Sequence, residues 1–499
     1  MSSPFPSKSG VVKEKLSHNI LNIAYPYKIL LISVVVVYFL CFTFYYANFK
    51  HLIMDSNSSH NSGIEEAILE PNMSTTTSNN TEYSSTNISH LLFALMGSEA
   101  AWHHRKGYGE AWWRPNATRG FIYLDVPPSG DLLPWSDASP PYRISENIEK
   151  LVQDIQPAVP FVIRLVHTIK EVLREGDEEG FRWLVLGDDD TVFFVDNLVN
   201  VLSHYDHTDY YYIGCQSDYI KSNFWFSFNM GFGGAGIILS YPLAEALAGD
   251  MESCLKRYAY RNTFDIITMS CIADLGVDLS QQKGLHQVDM YGDISGFLSA
   301  HPKTPLLSLH HFDEVDPVFP FVDRTEAVRH LMKGANADQS RMLQQTICYH
   351  RQHRWSVSVS WGYSVNLYET IMPRSWLQTA IETFRKWVGP NPDPPHFMFN
   401  TRVKQNDPCE TPHVFFFESV QKLSNDSVIL TSYYRAWPRN LPQCFGALPA
   451  DYVSHVHVYS PSSARTKTSK CECCDISYDI GAKNTVVKFR ECKPDEILA

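Results

Sequence analysis

The chain has 499 residues, 44% of them hydrophobic, and a formal net charge of -12 from 42 Lys and Arg against 54 Asp and Glu. That length holds more than one domain and a sizeable core. The acidic balance argues against a nucleic-acid surface.

Lys8, Lys13, Lys15 and Lys28 precede an apolar run from Ile29 to about Ala47 that carries no charged side chain. The run approaches the roughly 20 residues that cross a bilayer. Its end lacks a small-residue cleavage site, so it reads as a signal anchor rather than a removable signal peptide. With Lys concentrated before it, residues 1–28 are expected in the cytosol and the remainder in the lumen. Residues 48–90 turn to Ser, Thr and Asn and read as a stem. Glycosylation sequons stand at Asn57, Asn72, Asn79 and Asn87, and again at Asn116 and Asn425. Of the 11 cysteines, Cys41 falls in the anchor and the other ten lie beyond it, an even number suited to disulfides in an oxidising compartment. Cys471-x-Cys473-Cys474 imitates a metal knuckle, but no second spaced pair completes a zinc set. Pairing with Cys492, Cys409 or Cys444 is expected instead.

The globular part opens at His90-Leu-Leu-Phe-Ala-Leu-Met-Gly, a strand, followed by a helix over Glu99 to Trp113, a stop at Pro115 and a strand from Gly120. Strand, helix, strand begins an α/β sheet. Arg105 and Lys106 on that helix either meet nucleotide phosphates or form a solvated face. Ile148 to Leu173 reads as an amphipathic helix broken near Pro157 and Pro160.

Phe181 to Gly187 is an apolar strand that ends in Asp188, Asp189 and Asp190 before Val192-Phe193-Phe194 resumes the apolar run. Carboxylates held close together at a strand end are satisfied by a hard divalent ion, and open α/β sheets place ligands there. A solvated acidic turn is the plain alternative. Asp188-x-Asp190-x-Val192 also matches the opening motif of haloacid-dehalogenase-type phosphatases. That reading needs a later Gly-Asp-x-x-x-Asp motif, whereas Gly292-Asp293 continues as Ile-Ser-Gly-Phe.

Asn197 to His204 is expected as a helix, Asp209 to Gly214 as a strand, and Ser217 to Asn223 as a polar loop. The segment from Phe224 then carries Gly231, Gly233, Gly234 and Gly236, which permit close approach of a bulky ligand or positive φ. Beyond Pro320, helices are expected over Thr325 to Gln345 and Arg374 to Trp387, ahead of a Pro-rich linker from Gly389. Runs at Val414, Val428 and Val453 read as strands of a small β-rich, disulfide-braced module.

Trp102, Trp112-Trp113-Arg-Pro, Gly120-Phe-Ile-Tyr-Leu-Asp, Trp183-Leu-Val-Leu-Gly-Asp-Asp-Asp-Thr-Val-Phe, Gly233-Gly-Ala-Gly and Gly292-Asp-Ile-Ser-Gly-Phe-Leu-Ser-Ala-His-Pro together resemble the plant fringe-related proteins. These are similar to the fringe and core 1 β1,3-glycosyltransferases. The match covers about Leu91 to Phe319. It implies a GT-A type nucleotide-sugar-binding sheet, a UDP-sugar donor, a glycan or glycoprotein acceptor, Mn2+, and inverting hexosyl transfer by a type II protein of the Golgi membrane. By position, Asp190 is the metal-binding acid, with Asp188 and Asp189 meeting metal, its water or ribose. From the residues alone, Gly233, Gly234 and Gly236, following the acids and a run of aromatics, read as lining a sugar pocket rather than a phosphate cradle. Asp265 in Asn262-Thr-Phe-Asp-Ile-Ile matches the base, with Phe264 where relatives commonly carry a second acid. In Leu309-His310-His311-Phe-Asp, His310 is the favoured metal ligand and His311 stays open. The implied layout is 91–320 for the transferase domain, 321–390 for a helical connection and 391–499 for the β-rich module. A catalytically silent, lectin-like relative is the alternative.

Overall fold

Strand β1 (Leu91–Met96) is buried at every residue, as an apolar run without polar alternation requires when both faces of a sheet are covered. The computed structural model describes residues 85–175, 180–387, 395–423, 427–465, 472–479 and 483–497. The tail, the expected anchor at 29–47, most of the stem, Asn57, Asn72, Asn79, Asn425, Cys41 and Cys471 lie outside them. Among the described residues, no helix is long and apolar enough to cross a membrane.

After β1 come α1 (Glu99–Trp112), β2 (Arg119–Leu124), β3 (Tyr142–Ile144), α2 (Glu149–Ile155) and α3 (Pro160–Glu175). Ser98 caps α1 by accepting from the Ala101 N–H at 3.2 Å. Next are β4 (Trp183–Asp188), β5 (Val192–Phe193), α4 (Val195–Leu202), β6 (Tyr212–Gly214), α5 (Ile220–Trp225), β7 (Ile237–Ser240), α6 (Tyr241–Tyr258), α7 (Phe264–Asp274) and β8 (Leu279–Gln281). The expected polar loop at Ser217 to Asn223 thus becomes helical at Ile220.

These strands form a seven-stranded sheet of order β3-β2-β1-β4-β7-β6-β8. The pairs from β3 to β4 are parallel, whereas β7 runs antiparallel to both β4 and β6. The α/β expectation is met by a mixed sheet. Alternate residues of β1 feed opposite cores. Leu91, Phe93 and Leu95 pack in the core that holds Trp102, Trp112 and Phe193. Leu92, Ala94 and Met96 join Val162 and Val166 of α3 and Leu247 and Met251 of α6.

The chain continues through β9 (Met290–Gly292), α8 (Ser295–Ala300), β10 (Ser308–Leu309) and α9 (Arg324–Ala337). Then follow β11 (Gln345–His350), β12 (Trp355–Ser360), β13 (Ser364–Tyr368), α10 (Arg374–Leu377), β14 (Ala380–Glu382), β15 (Phe384–Lys386) and β16 (Thr401–Val403). The last strands are β17 (His413–Leu423), β18 (Val428–Arg435), β19 (His455–Pro461), β20 (Cys473–Asp479) and β21 (Asn484–Arg490). Eight of them make a second sheet, β11-β12-β13-β17-β18-β19-β21-β20. It curls until its edge strands β11 and β20 meet, joined by the Cys348–Cys474 disulfide.

The span 321–390 is therefore not a helical connection. Among its described residues it is helix only at α9 and α10, and the strict alternation Trp-Ser-Val-Ser-Val-Ser of 355–360 makes β12 a strand. The expected helix from Arg374 to Trp387 ends at Leu377, because 380–386 pairs instead with β16 and β9. Nor does the packing break near 390, since one core runs from Leu91 to Phe489. Disulfides also join Cys254 to Cys271, Cys409 to Cys444 and Cys473 to Cys492. Cys474 thus finds its partner in Cys348, outside the expected set.

Candidate functional site

β4 delivers Asp188 at its end, and the turn that follows carries Asp189 and Asp190 into β5. β5 pairs antiparallel with β10, Val192 opposite Leu309. This short ribbon sets His310, the residue after β10, beside the acids. His310 Nε2 lies 3.1 Å from Asp190 Oδ1 and 3.5 Å from Asp188 Oδ2. The ligand atoms of Asp188, Asp190 and His310 all lie within 4.8 Å of one another. His310 and Asp190 are buried, while Asp188 is 37% exposed and opens the cluster to solvent.

The imidazole is oriented from behind. Its Nδ1 donates to Gln287 Oε1 at 3.1 Å, and Gln287 Nε2 donates to Asp289 Oδ1 at 3.0 Å, which fixes the amide. Once Nε2 gives up its proton, its lone pair points toward the acids, the arrangement in which histidine binds metal. Burial alone would lower the His310 pKa, but Asp190 and Asp188 outweigh it and push it up to about 10. Burial likewise opposes ionisation of Asp190, yet His310 and Arg105 hold its carboxyl well below the usual range. Asp190 Oδ2 is buried without a hydrogen-bond partner. A buried, ionised oxygen left unmatched is costly, and a divalent cation held by two carboxylates and one imidazole would satisfy it. The donor set fits Mn2+.

His311 faces elsewhere. Its Nδ1 lies 3.1 Å from Val288 O and from Asp289 Oδ1, and its ring stacks on Trp387 at 4.5 Å.

The glycine segment packs against the same side chains. Asp265, in the first turn of α7, accepts from the Gly233 N–H at 2.6 Å. A Cβ on Gly233 would lie 2.9 Å from Asp265 Oδ1, and one on Gly234 would fall on the His310 ring. Gly236 has φ +107 and sits against Phe193. The room these glycines leave is therefore filled by the protein's own residues rather than kept for a ligand. Thr191 Oγ1 accepts from the Asp188 N–H at 2.8 Å and donates to Gly234 O at 2.7 Å, tying the acidic turn to the glycine loop. The Asp265 carboxyl is pushed up to about 7, first by burial and then by Asp188, against the Gly233 N–H.

Two expected ligand contacts are replaced by internal ones. Arg105 is engaged by carboxylates, with Nε 2.6 Å from Asp313 Oδ2 and Nη1 2.6 Å from Asp189 Oδ1. Its side chain, 27% exposed, is paired with these carboxylates rather than free on a solvated helix face. Asp189 is buried and spent on that pair, which removes it from ribose or metal-bound water. The buried Asp189 carboxylate needs a cation beside it, and Arg105 of α1 supplies it. Gln287, Asp289 and Asp313 are the residues sequence reasoning missed. Of these, only Asp313 carried a signal, two positions beyond His311.

Fold and site together define a mixed α/β protein with a cation-ready Asp/Asp/His cluster at the end of its central strand and a half-buried carboxyl beside it. The chain belongs to the family described as "Protein of unknown function, DUF604", whose model matches residues 222–474 and so takes in Asp265, the glycine loop and His310. No curated protein matches the chain. Among solved structures it is similar to a glycosyltransferase involved in the glycosylation of the major capsid of PBCV-1, at 14% identity over 49% of this chain and 98% of that one, with a TM-score of 0.26. It is also similar to mouse xyloside xylosyltransferase 1 in its apo form, at 10% identity over 41% and 85%, with a TM-score of 0.22.

Proposed function

We propose that the chain is an inverting glycosyltransferase that moves a sugar from a UDP-sugar to a glycan or glycoprotein hydroxyl, forming a β1,3 linkage. One observation carries the reading: a three-ligand cation cluster and a separate carboxyl of raised pKa meet across a single glycine loop. Asp188, Asp190 and His310 would hold Mn2+. When bound, the ion supplies positive charge to offset a diphosphate leaving group. Asp265 acts on the other substrate. With its pKa near 7 it accepts the acceptor hydroxyl's proton as that oxygen attacks the anomeric carbon from the face opposite the leaving group. The Gly233 N–H, donating to Oδ1, fixes the carboxylate's orientation and leaves Oδ2 for the proton. Gln287 keeps the His310 tautomer.

The UDP-sugar, the β1,3 linkage and a Golgi address with residues 29–47 as membrane anchor are carried by the resemblance to the fringe and core 1 transferases. UDP release from a panel of UDP-sugars, with acceptor glycans and with Mn2+ or chelator, tests the reading. Release from one donor that needs Mn2+ and disappears in Asp190→Ala is expected. Donor binding without turnover on any acceptor would overturn it in favour of the lectin-like alternative.

A further inference from the structure

A cavity lies where α8, β14 and β16 meet the curled sheet, with a volume of about 470 Å3, in the range of small-molecule sites. Its floor is one face of β13 and β17, through Ser364, Asn366, Val414 and Phe416, and that face continues from β13 onto β12. In their antiparallel register Ser356, Ser358 and Ser360 oppose Tyr368, Asn366 and Ser364, so these six side chains share that face. A polar face inside a buried sheet must be satisfied. Ser356 donates to Thr370 O, Ser358 accepts from Gln345, Ser360 donates to Leu298 O, Ser364 pairs with Ser299, and Tyr368 accepts from Arg402. Asn366 is the exception. It is only 8% exposed, lines the cavity, and its amide has no partner among the described residues.

Beside these polar residues the lining is aromatic. Trp437 is 48% exposed and rests on Phe416 at 5.4 Å between ring centroids. Phe321, 82% exposed, stands 6.3 Å from Trp437, next in sequence to the lining residue Pro320, and is held at φ +65, a conformation unfavourable for a bulky residue. The charges exclude an anion. Arg402 is engaged by Tyr368 and Thr379, and Arg439 by Glu369. The other charged lining residues are Asp293, Asp316 and Glu410 against Lys404.

We propose that this cavity is a binding site for a neutral saccharide, with one pyranose face on Trp437 and its hydroxyls on the Asn366 amide. The electron-rich face of an indole attracts the polarised C–H groups of a sugar. An amide offers both the donor and the acceptor that a hydroxyl needs, and Asp293 and Asp316 can accept from further hydroxyls. The site does not depend on the transferase reading, because none of the residues of the acidic cluster belongs to it.

The test is binding of the full-length chain, in chelator and without nucleotide, to an array of neutral di- to hexasaccharides built from galactose, N-acetylgalactosamine, N-acetylglucosamine and xylose. Wild type is expected to bind at least one. Trp437→Ala and Asn366→Ala are each expected to weaken that binding about ten-fold or more, and Asp190→Ala to retain it. Phe321→Ala, at an exposed ring that cannot hold the fold together, is expected to weaken binding with no change in melting temperature. Failure of wild type to bind any member overturns the proposal. So does binding that survives Trp437→Ala and Phe321→Ala but is lost in Asp190→Ala, which would assign the saccharide to the acidic site.

Discussion

Gly234 and His310 occupy adjoining space so closely that a methyl group at position 234 would fall on the imidazole ring. The loop that begins by holding Asp265 through the Gly233 N–H therefore also sets where His310 can stand. Gly234→Ala should leave the sheet intact and push the ring off Asp188 and Asp190. The expected result is Mn2+ affinity about 10- to 100-fold weaker, the scale seen when a ligand loses its supporting contacts. Calorimetric titration of Mn2+ measures it, and unchanged affinity would remove His310 from the ligand set.

Asp265→Asn keeps an acceptor oxygen for the Gly233 N–H but removes the proton acceptor. Donor binding should persist while transfer falls about 10²- to 10⁴-fold. The wild-type rate should also rise with pH through about 7, since a carboxyl pushed up to that value must lose its proton before it can serve as base. That ascending limb should be missing in the variant. A pH–rate profile of both proteins checks the two statements together.

The parts of the site written in local sequence were legible, and those made by distant packing were not. Acids that interrupt an apolar run announced the end of β4, and the expectation that His310 belongs beside them matches its 3.1 Å approach to Asp190. The engagement of Asp189 by Arg105 joins residues 84 positions apart, and no periodicity in either segment encodes it. Glycines were read as room for a ligand because a sequence shows the missing Cβ but not the neighbour that fills it. The same limit governs the fold. Val414, Val428 and Val453 announced strands, yet nothing in 374–387 showed that pairing with β9 and β16 would override its helical character.

Arg105→Ala should show how much the buried pair matters. Asp189 is 3% exposed, and burial already pushes its carboxyl up to about 7 with Arg105 in place. Without the guanidinium the charge is left alone, at a cost of about 3 kcal/mol. The sign with pH follows from linkage. A carboxyl whose folded pKa lies above its unfolded value costs nothing while protonated in both states, and destabilises the fold as pH rises beyond the usual carboxylate range. The variant's deficit should therefore be larger at pH 8 than at pH 5, as read from urea denaturation at each pH.

Cys348 and Cys474 stand 126 residues apart in sequence and close the two edges of the eight-stranded sheet, whereas Cys473 and Cys492, also bridging strand β20, are separated by only 19. If the bridges act by restricting the unfolded chain, the longer loop is worth more by about 1–2 kcal/mol. Replacing Cys348 and Cys474 together by Ser should cost about 2–5 kcal/mol. It should also expose the unpaired edges of β11 and β20 to aggregation on heating. The double replacement of Cys473 and Cys492 should cost less. Guanidinium denaturation without reductant, with both double variants beside wild type, ranks the two. Equal losses would mean that the meeting of β11 with β20 is held by its packing and not by the bridge.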